Sequence, residues 1–178
     1  MHDLDRTANL LGAAALAVTD LTLGAVTNAA GVSASGAAAL VTLSANPGLS
    51  VTELGRRVGL TQSAAARMVD SMQADGLVER RPSPLSSRWV GVHLTTAGKS
   101  AAHRLLAARG SPLTGIVAAL DADDQEALAR VLSNLLARLY EQIGKAQYMC
   151  RLCDRDSCQR QCTCPVGAAE RAQQPQDA

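Results

Sequence analysis

Residues 50–81 read Ser50-Val51-Thr52-Glu53-Leu54-Gly55-Arg56-Arg57-Val58-Gly59-Leu60, then Thr61-Gln62-Ser63-Ala64-Ala65-Ala66-Arg67-Met68-Val69-Asp70-Ser71-Met72-Gln73-Ala74-Asp75-Gly76, then Leu77-Val78-Glu79-Arg80-Arg81. Ser50 and Glu53 have the spacing of a capping box, in which each side chain satisfies an orphan amide at a helix start. A short helix follows and stops at Gly59. Thr61 caps a second helix that ends by Gly76, with Ala65, Met68, Val69 and Met72 on one apolar face at i, i+3, i+4 and i+7. Two short helices joined by a tight turn form a helix-turn-helix. Behind them the period falls to two. Residues 77–81 and 89–94 read as strands around a Pro- and Ser-rich turn over 82–87, with Val90, Val92 and Leu94 on one side. A hairpin in that position is a wing.

Helical periodicity extends outward from this core. Leu11, Ala15, Val18, Thr22 and Ala25 recur at spacings of four and three, which predicts a first helix over about residues 4–28, ended by Gly31. Ser33 caps a second helix, closed by Asn46-Pro47-Gly48. Beyond the wing, Thr95 or Thr96 opens a fifth helix, and Gly110-Ser111-Pro112 predicts an interruption in it. A sixth begins at Asp121 and runs to about 146, with Asp123 and Asp124 placed to favour the helix dipole. Leu128, Leu132, Leu135, Leu139 and Ile143 form its apolar stripe. The fold class is therefore mainly α: a winged helix-turn-helix with a helical dimerisation region, about six helices plus a β-hairpin wing. Residues 1–48 supply N-terminal dimerisation and support helices, 49–99 the winged helix-turn-helix, and 100–147 the C-terminal dimerisation helices. Residues 148–166 form a Cys-rich metal-binding segment, and 167–178 read as a disordered tail.

Composition supports this organisation. Of the 178 residues only Trp89, Tyr140 and Tyr148 are aromatic, and there is no Phe. A core of Leu, Val and Ala lets helices approach closely, but each side chain buries little area, which favours a homodimer. The net charge is only +1, yet no charged residue lies between 21 and 52, while positions 53–104 carry eight Lys/Arg against four Asp/Glu. Such a basic surface serves solubility as readily as nucleic acid, so it gains meaning only beside the helix-turn-helix. Asp3 and Asp5 have the wrong sign for a secretory leader, and the uncharged stretch over 21–52 is broken by Asn28, Gly31, Pro47 and Gly48, so no membrane span is read there. The expectation is a cytoplasmic protein without a membrane partner, in which thiols stay reduced.

The motif residues resemble those of the MarR family of bacterial transcription regulators. The run from Thr52 through Leu60, then Gln62 to Arg67, Ala74 to Arg81, and Leu94-Thr95-Thr96-Ala97-Gly98-Lys99 carry the likeness. The resemblance implies a dimer whose first, fifth and sixth helices intertwine, with the fourth helix in a major groove and the wing along the minor groove. It also implies that Gln62, Ser63, Ala64, Ala66 and Arg67 face a double-stranded DNA operator and that the wing contributes Arg81 and Arg88. Ala64 and Ala66 stand where relatives carry Thr or Ser. Alanine can touch a thymine methyl but offers no hydrogen bond, so Gln62 and Arg67 should dominate base readout. The wing tip, with Ser83, Leu85 and Ser86, lacks the charged run common in the family. Arg56, Arg57, Arg80 and Arg81 are candidates to neutralise phosphates or simply to solvate the surface. Trp89 reads as strand packing, and His2, His93 and His103 are scattered without ligand-type neighbours in sequence.

Cys150, Cys153, Cys158, Cys162 and Cys164 lie in the pattern C-x2-C-x4-C-x3-C-x-C, followed by Pro165-Val166. Soft thiolates at short spacing can converge on one soft metal centre. Structural zinc usually needs two C-x2-C knuckles, and only one is present. Iron–sulfur sites accept compact, uneven runs that end in Cys-Pro. An iron–sulfur cluster is the first reading, zinc the alternative, and a metal-free thiol switch the third. Some MarR-like proteins carry a similar Cys-rich segment ending in Cys-Pro-Val. Cys150, Cys153, Cys158 and Cys164 are the expected ligands, with Cys162 as the alternative. A site following the sixth helix would act at the dimerisation end, by changing the separation of two recognition helices that must lie ~34 Å apart. The function read from the sequence is a dimeric DNA-binding transcription regulator, a repressor that senses redox or iron state. One rival is a small-molecule-responsive repressor with a structural zinc site. Another, of a different class, is a thiol oxidoreductase using Cys150 and Cys153. No catalytic constellation points to an enzyme.

Overall fold

The structure is a computed structural model that describes residues 3–83, 86–160 and 162–174, the side chains at 30, 83 and 86–89 excepted. Helix α1 (Leu4–Ala30) starts on Asp3, whose carboxylate accepts the amides of Asp5 and Arg6, and ends at Gly31 with φ 63°. Helix α2 (Ala34–Ala45) is capped by Ser33. Helix α3 (Val51–Val58) lies between Ser50 and Gly59, and α4 (Gln62–Ala74) starts on Thr61. Strands β1 (Val78–Ser83) and β2 (Ser86–Leu94) form an antiparallel hairpin in which Val78 faces Leu94 and Arg81 faces Gly91. Helices α5 (Thr96–Ala118) and α6 (Ala122–Ile143) start on Thr95 and Asp121. Three short helices close the chain: α7 (Ala146–Met149), α8 (Arg155–Gln159) and α9 (Pro165–Gln173).

Helix α2 is the centre. Ala37, Ala38, Ala39, Leu40, Val41 and Leu43 are all buried, so it has almost no solvent face, as expected of a helix that is apolar all round. Around it pack Val26 of α1, Leu54 and Val58 of α3, Val69 and Met72 of α4, Val78, Val92 and Leu94 of the hairpin, and Ala101, Ala102 and Leu105 of α5. The wing is tied to this core at its base. The Gly48 amide donates to the Val92 carbonyl at 2.9 Å, the Val92 amide donates to the Leu49 carbonyl at 2.8 Å, and the Thr95 hydroxyl donates to the Gly76 carbonyl at 2.7 Å. Of the side predicted to hold Val90, Val92 and Leu94, the last two are buried and Val90 is exposed, because it lies past the point where Leu49 covers the strand.

Two expectations change. Helix α5 runs unbroken through Pro112, because proline removes one hydrogen bond without ending a helix that has long favourable flanks. The segment read as a disordered tail from 167 is helical as far as Gln173, where α9 packs on α6 and buries Val166 against Tyr140 and Ala146. The apolar stripe of α6 does not face this chain's own core: Leu132, Leu139 and Ile143 are exposed, as are Leu10, Leu11, Leu16 and Val18 of α1. The span Leu4–Ala29, of mean hydropathy 1.7, is long and apolar enough to cross a membrane by length and composition, although the uncharged stretch weighed for that role was 21–52.

The hairpin and α5 meet at Gly98, where an added Cβ would run into the Leu77 carbonyl oxygen. Gly98→Ala should destabilise the fold by about 1–3 kcal/mol, as overpacking does. A thermal midpoint equal to that of the unaltered protein would show that this junction is loose.

Candidate nucleic-acid interface and cysteine pocket

Helix α4 has two distinct faces. Ala65, Val69 and Met72 are buried, while Gln62, Ser63 and Arg67 are exposed and Ala64 and Ala66 are half-buried. The Thr61 hydroxyl accepts the Ala64 amide at 3.3 Å and so fixes the first turn. What sets the crossing of α3 and α4 is a residue the sequence reading did not single out. A Cβ on Gly55 would lie 2.7 Å from the Ala65 Cβ, so only glycine permits this approach. Its signal in the sequence was an otherwise unfavourable glycine inside a helix.

Most arginines near α4 are already partnered. Arg56 donates twice to Glu53 at 2.7 Å, and the Arg57 Nε donates to it at 2.6 Å. The Ser50 hydroxyl accepts the Glu53 amide, but the Glu53 carboxylate pairs with these arginines, which is only half of the predicted capping box. Charge-assisted bonds to guanidinium are stronger than a bond to a neutral amide. The hydrogen bonds from Arg56 and Arg57 hold the Glu53 carboxyl down at about 2, against an ordinary 4.5. Arg80 on β1 donates to Gln73 at 2.6 Å and to Asp70 at 2.7 Å and clamps the wing to α4. Arg81 pairs with Glu79 and remains exposed. Arg67 makes no hydrogen bond or ion pair among the described residues, which leaves its guanidinium available. Glu53, Asp70 and Gln73 were not read as site residues, because Arg80 meets its partners only after β1 folds back on α4. Arg88 and Trp89 lie on β2, and their side chains fall outside the described residues, as do Leu85 and His2. His93 sits under Gly48, a strand-packing role.

The second site lies beyond α6. All five cysteines line one cavity of about 370 Å³, together with Arg155, Glu170 and Arg171. Local sequence builds it. Cys150 closes α7, Asp154 caps α8 by accepting the Ser157 amide at 3.2 Å, and Pro165 starts α9 directly after Cys164. Proline suits the first turn of a helix, so the Cys-Pro step positions a thiol at the rim of the cavity. Cys150 and Cys153 are neighbours at the cavity wall, as are Cys158 and Cys164. Cys162 is exposed, and its thiol donates to the Cys158 carbonyl at 3.3 Å. The neighbouring Cys150 thiol, aided by the positive charges of Arg109, Arg155 and Arg151, holds the Cys153 thiol down at about 6. The same proximity, with burial, pushes Cys150 upward, and burial pushes Cys158 up to about 11. Two thiol pairs thus face one cavity. Among the described residues, no three ligand-type side chains yet surround a single point.

This segment is not confined to the end of α6. Helix α7 packs on α3. The Tyr148 ring lies against Gly59, where an added Cβ would come within 2.5 Å of it, and Leu152 packs against the main core. The cysteine segment therefore contacts the helix-turn-helix as well as α6.

The arrangement defines a winged helix-turn-helix protein: a capped α3–α4 pair, a wing clamped to α4, and an exposed polar face on α4. Comparison carries this further, since residues 30–88, which hold α2, both helices of the motif and most of the wing, match the MarR family model. Over that segment the chain is similar to the MarR family. It is similar to the HTH-type transcriptional repressor YetL of Bacillus subtilis (strain 168), at 28% identity over 91 residues, 51% of this chain and 54% of that protein. The chain thus spans about half the length of the curated relative it matches. Among solved structures it resembles RV1404 of Mycobacterium tuberculosis at a TM-score of 0.68 and 22% identity, over 76% of this chain and 93% of that one. It also resembles the MarR family protein Rv2887 of Mycobacterium tuberculosis in complex with DNA, at a TM-score of 0.56 and 27% identity, over 76% and 98% of the two chains.

The Glu53 cluster has a pH signature. Its folded pKa lies below the ordinary value, so its stabilisation is present above about 4.5 and is lost as pH falls toward 2. Glu53→Gln should lower the urea midpoint at neutral pH, and the gap to the unaltered protein should close across that acid window. A gap that persists unchanged at the acid end would show that the carboxylate's pairing is not what Glu53 contributes.

Proposed function

We propose that the chain is a dimeric, sequence-specific DNA-binding transcription regulator, a repressor, whose cysteine pocket holds an iron–sulfur cluster and senses redox or iron state. The observation that carries the DNA reading is the exposed face of α4, where Gln62, Ser63 and the available Arg67 stand in line beside the clamped wing. The solved relative Rv2887 with bound DNA and the repressor YetL support it. Arg67 would supply a charged fork to a base edge or a phosphate, and a bidentate base contact is worth about 1–3 kcal/mol of discrimination. Arg56, Arg80 and Arg81 would exchange intramolecular carboxylates for phosphates, while Arg57 stays largely covered. Exposed leucines on α1 and α6 favour a second copy of the chain, since so much apolar surface gains free energy on burial. Covering α1 in this way also accounts for its apolar character in a cytoplasmic protein.

The pocket fits a soft metal centre. Its donors are thiols, two of its cations offset thiolate charge, and it leaves an open volume that a single zinc ion, with four sulfurs drawn to about 2.3 Å, would not need. Cys150, Cys153, Cys158 and Cys164 would hold the cluster, and the exposed Cys162 is the spare. Such a cluster supplies one-electron redox chemistry tuned by the charge and hydrogen bonds around it. Arg155 and Arg171 would stabilise its negative charge, and the apolar contacts of Val166 with Tyr140 and Ala146 shield one side. The thiol-exchange alternative is disfavoured by position: Cys150 closes a helix rather than opening one, which withholds the amide dipoles that activate such thiols.

Two measurements test this reading. A duplex selected from a random-sequence pool should bind the unaltered protein, and Arg67→Ala should weaken that binding at least about tenfold while the dimer mass persists. Equal affinity would refute the role of α4. Anaerobically purified protein should contain iron and acid-labile sulfide, with visible absorbance that Cys153→Ser removes and Cys162→Ser retains. Zinc without colour would move the protein to the structural-zinc reading, and full colour in Cys153→Ser would refute the ligand assignment.

A further inference from the structure

We propose that Tyr148 and Leu152 couple the cysteine pocket to the helix-turn-helix, so that filling the pocket resets the α3–α4 turn within the same chain. This inference rests on the reading of the pocket as a metal-binding site. The C-x2-C loop has two faces. Cys150 and Cys153 look into the cavity, whereas Leu152 between them packs on the main core and Tyr148, two residues before, covers Gly59. Arg151 ties these together: its guanidinium lies 3.9 Å from the centre of the Tyr148 ring, and it donates to the Tyr148 carbonyl at 2.7 Å. Tyr148 therefore cannot move independently of the loop.

The contact with Gly59 has no slack. An added Cβ there would fall 2.5 Å from the ring, and Gly59 sits at φ 79°, a conformation that admits little adjustment by other residues. The turn is itself held by the Leu60 amide donating to the Gly55 carbonyl at 2.9 Å, and Leu60 packs on the core. Two residues later α4 begins with Gln62 and Ser63, the first of the proposed DNA contacts. To bind one centre, the two separate thiol pairs must be drawn together, which shifts the loop that carries Tyr148 and Leu152. Close-packed interiors transmit such a shift rather than absorb it. The coupling runs inside one subunit and needs no change in the separation of two recognition helices. In this role Tyr148 and Leu152 are positioning residues.

The test is amide hydrogen exchange over residues 55–63 of the full chain, prepared reduced and metal-free, reconstituted with iron and sulfide, or alkylated with N-ethylmaleimide. In the unaltered protein, filling the pocket should change exchange at the turn by about tenfold or more, and Tyr148→Ala should reduce that change to less than about twofold at equal iron and sulfide content. Tyr148→Phe should behave as the unaltered protein. Leu152→Ala provides the same comparison if Tyr148→Ala does not fold. A change in Tyr148→Ala as large as in the unaltered protein would overturn the coupling, as would a turn that responds to neither filling. If no iron is taken up, yet alkylation alters the turn in the unaltered protein and not in Tyr148→Ala, the coupling holds and the metal reading falls.

Discussion

Helix α2 must be buried on nearly every side, and the other elements are arranged to bury it. Its run of alanines and leucines presents no polar face, so other elements must cover it on every side. The small side chains let α1, α3 and α5 come close, and α4 and the hairpin then complete the enclosure. The orientation of α4 follows from this. Its buried face is fixed by Val69 and Met72 against the core, and its crossing with α3 by the Gly55–Ala65 approach. Gln62, Ser63 and Arg67 are directed outward because the opposite side of the same helix has nowhere else to go.

Charge is arranged in layers over that scaffold. Glu53 and Asp70 hold Arg56, Arg57 and Arg80 in place, while Arg67 makes no such pair among the described residues. The more exposed of these pairs, Arg56–Glu53 and Arg80–Asp70, contribute little to stability. Their role here is positional: they keep guanidinium groups oriented at the surface, and the Arg80 clamp fixes the wing to the helix it accompanies. A polyanion can compete for these groups without disturbing the core.

The C-terminal segment combines a chemical face with a mechanical one. Five thiols line its cavity, while its apolar side chains dock on α6, on the core and on Gly59. Burial of Tyr140 and Val166 makes α9 an ordered part of the fold, and that docking brings Cys164 to the other cysteines. The same few residues thus gather a soft donor set and place it one short turn away from the helix-turn-helix.

Local signals made much of this legible from the sequence. Ser33, Ser50, Thr61, Thr95 and Asp121 cap helices as their side chains predict, because capping is decided within three residues. The buried face of α4 followed from its 3.6-residue period. Pro112 misled, since the cost of one lost hydrogen bond is local while the helix is held along its whole length. The tail misled for a related reason: polar composition said nothing of the two apolar residues, Tyr140 and Val166, that meet across 26 positions of sequence. Local patterns in the sequence were enough to order α1 to α6 and the hairpin and to single out the five cysteines. Packing, by contrast, turns Glu53 to its arginines, brings Arg80 to Asp70, gathers five thiols on one cavity and rests Tyr148 on Gly59. Each of these is a contact between groups whose proximity depends on how whole elements pack, and packing is a property of the enclosed core rather than of any short window of residues.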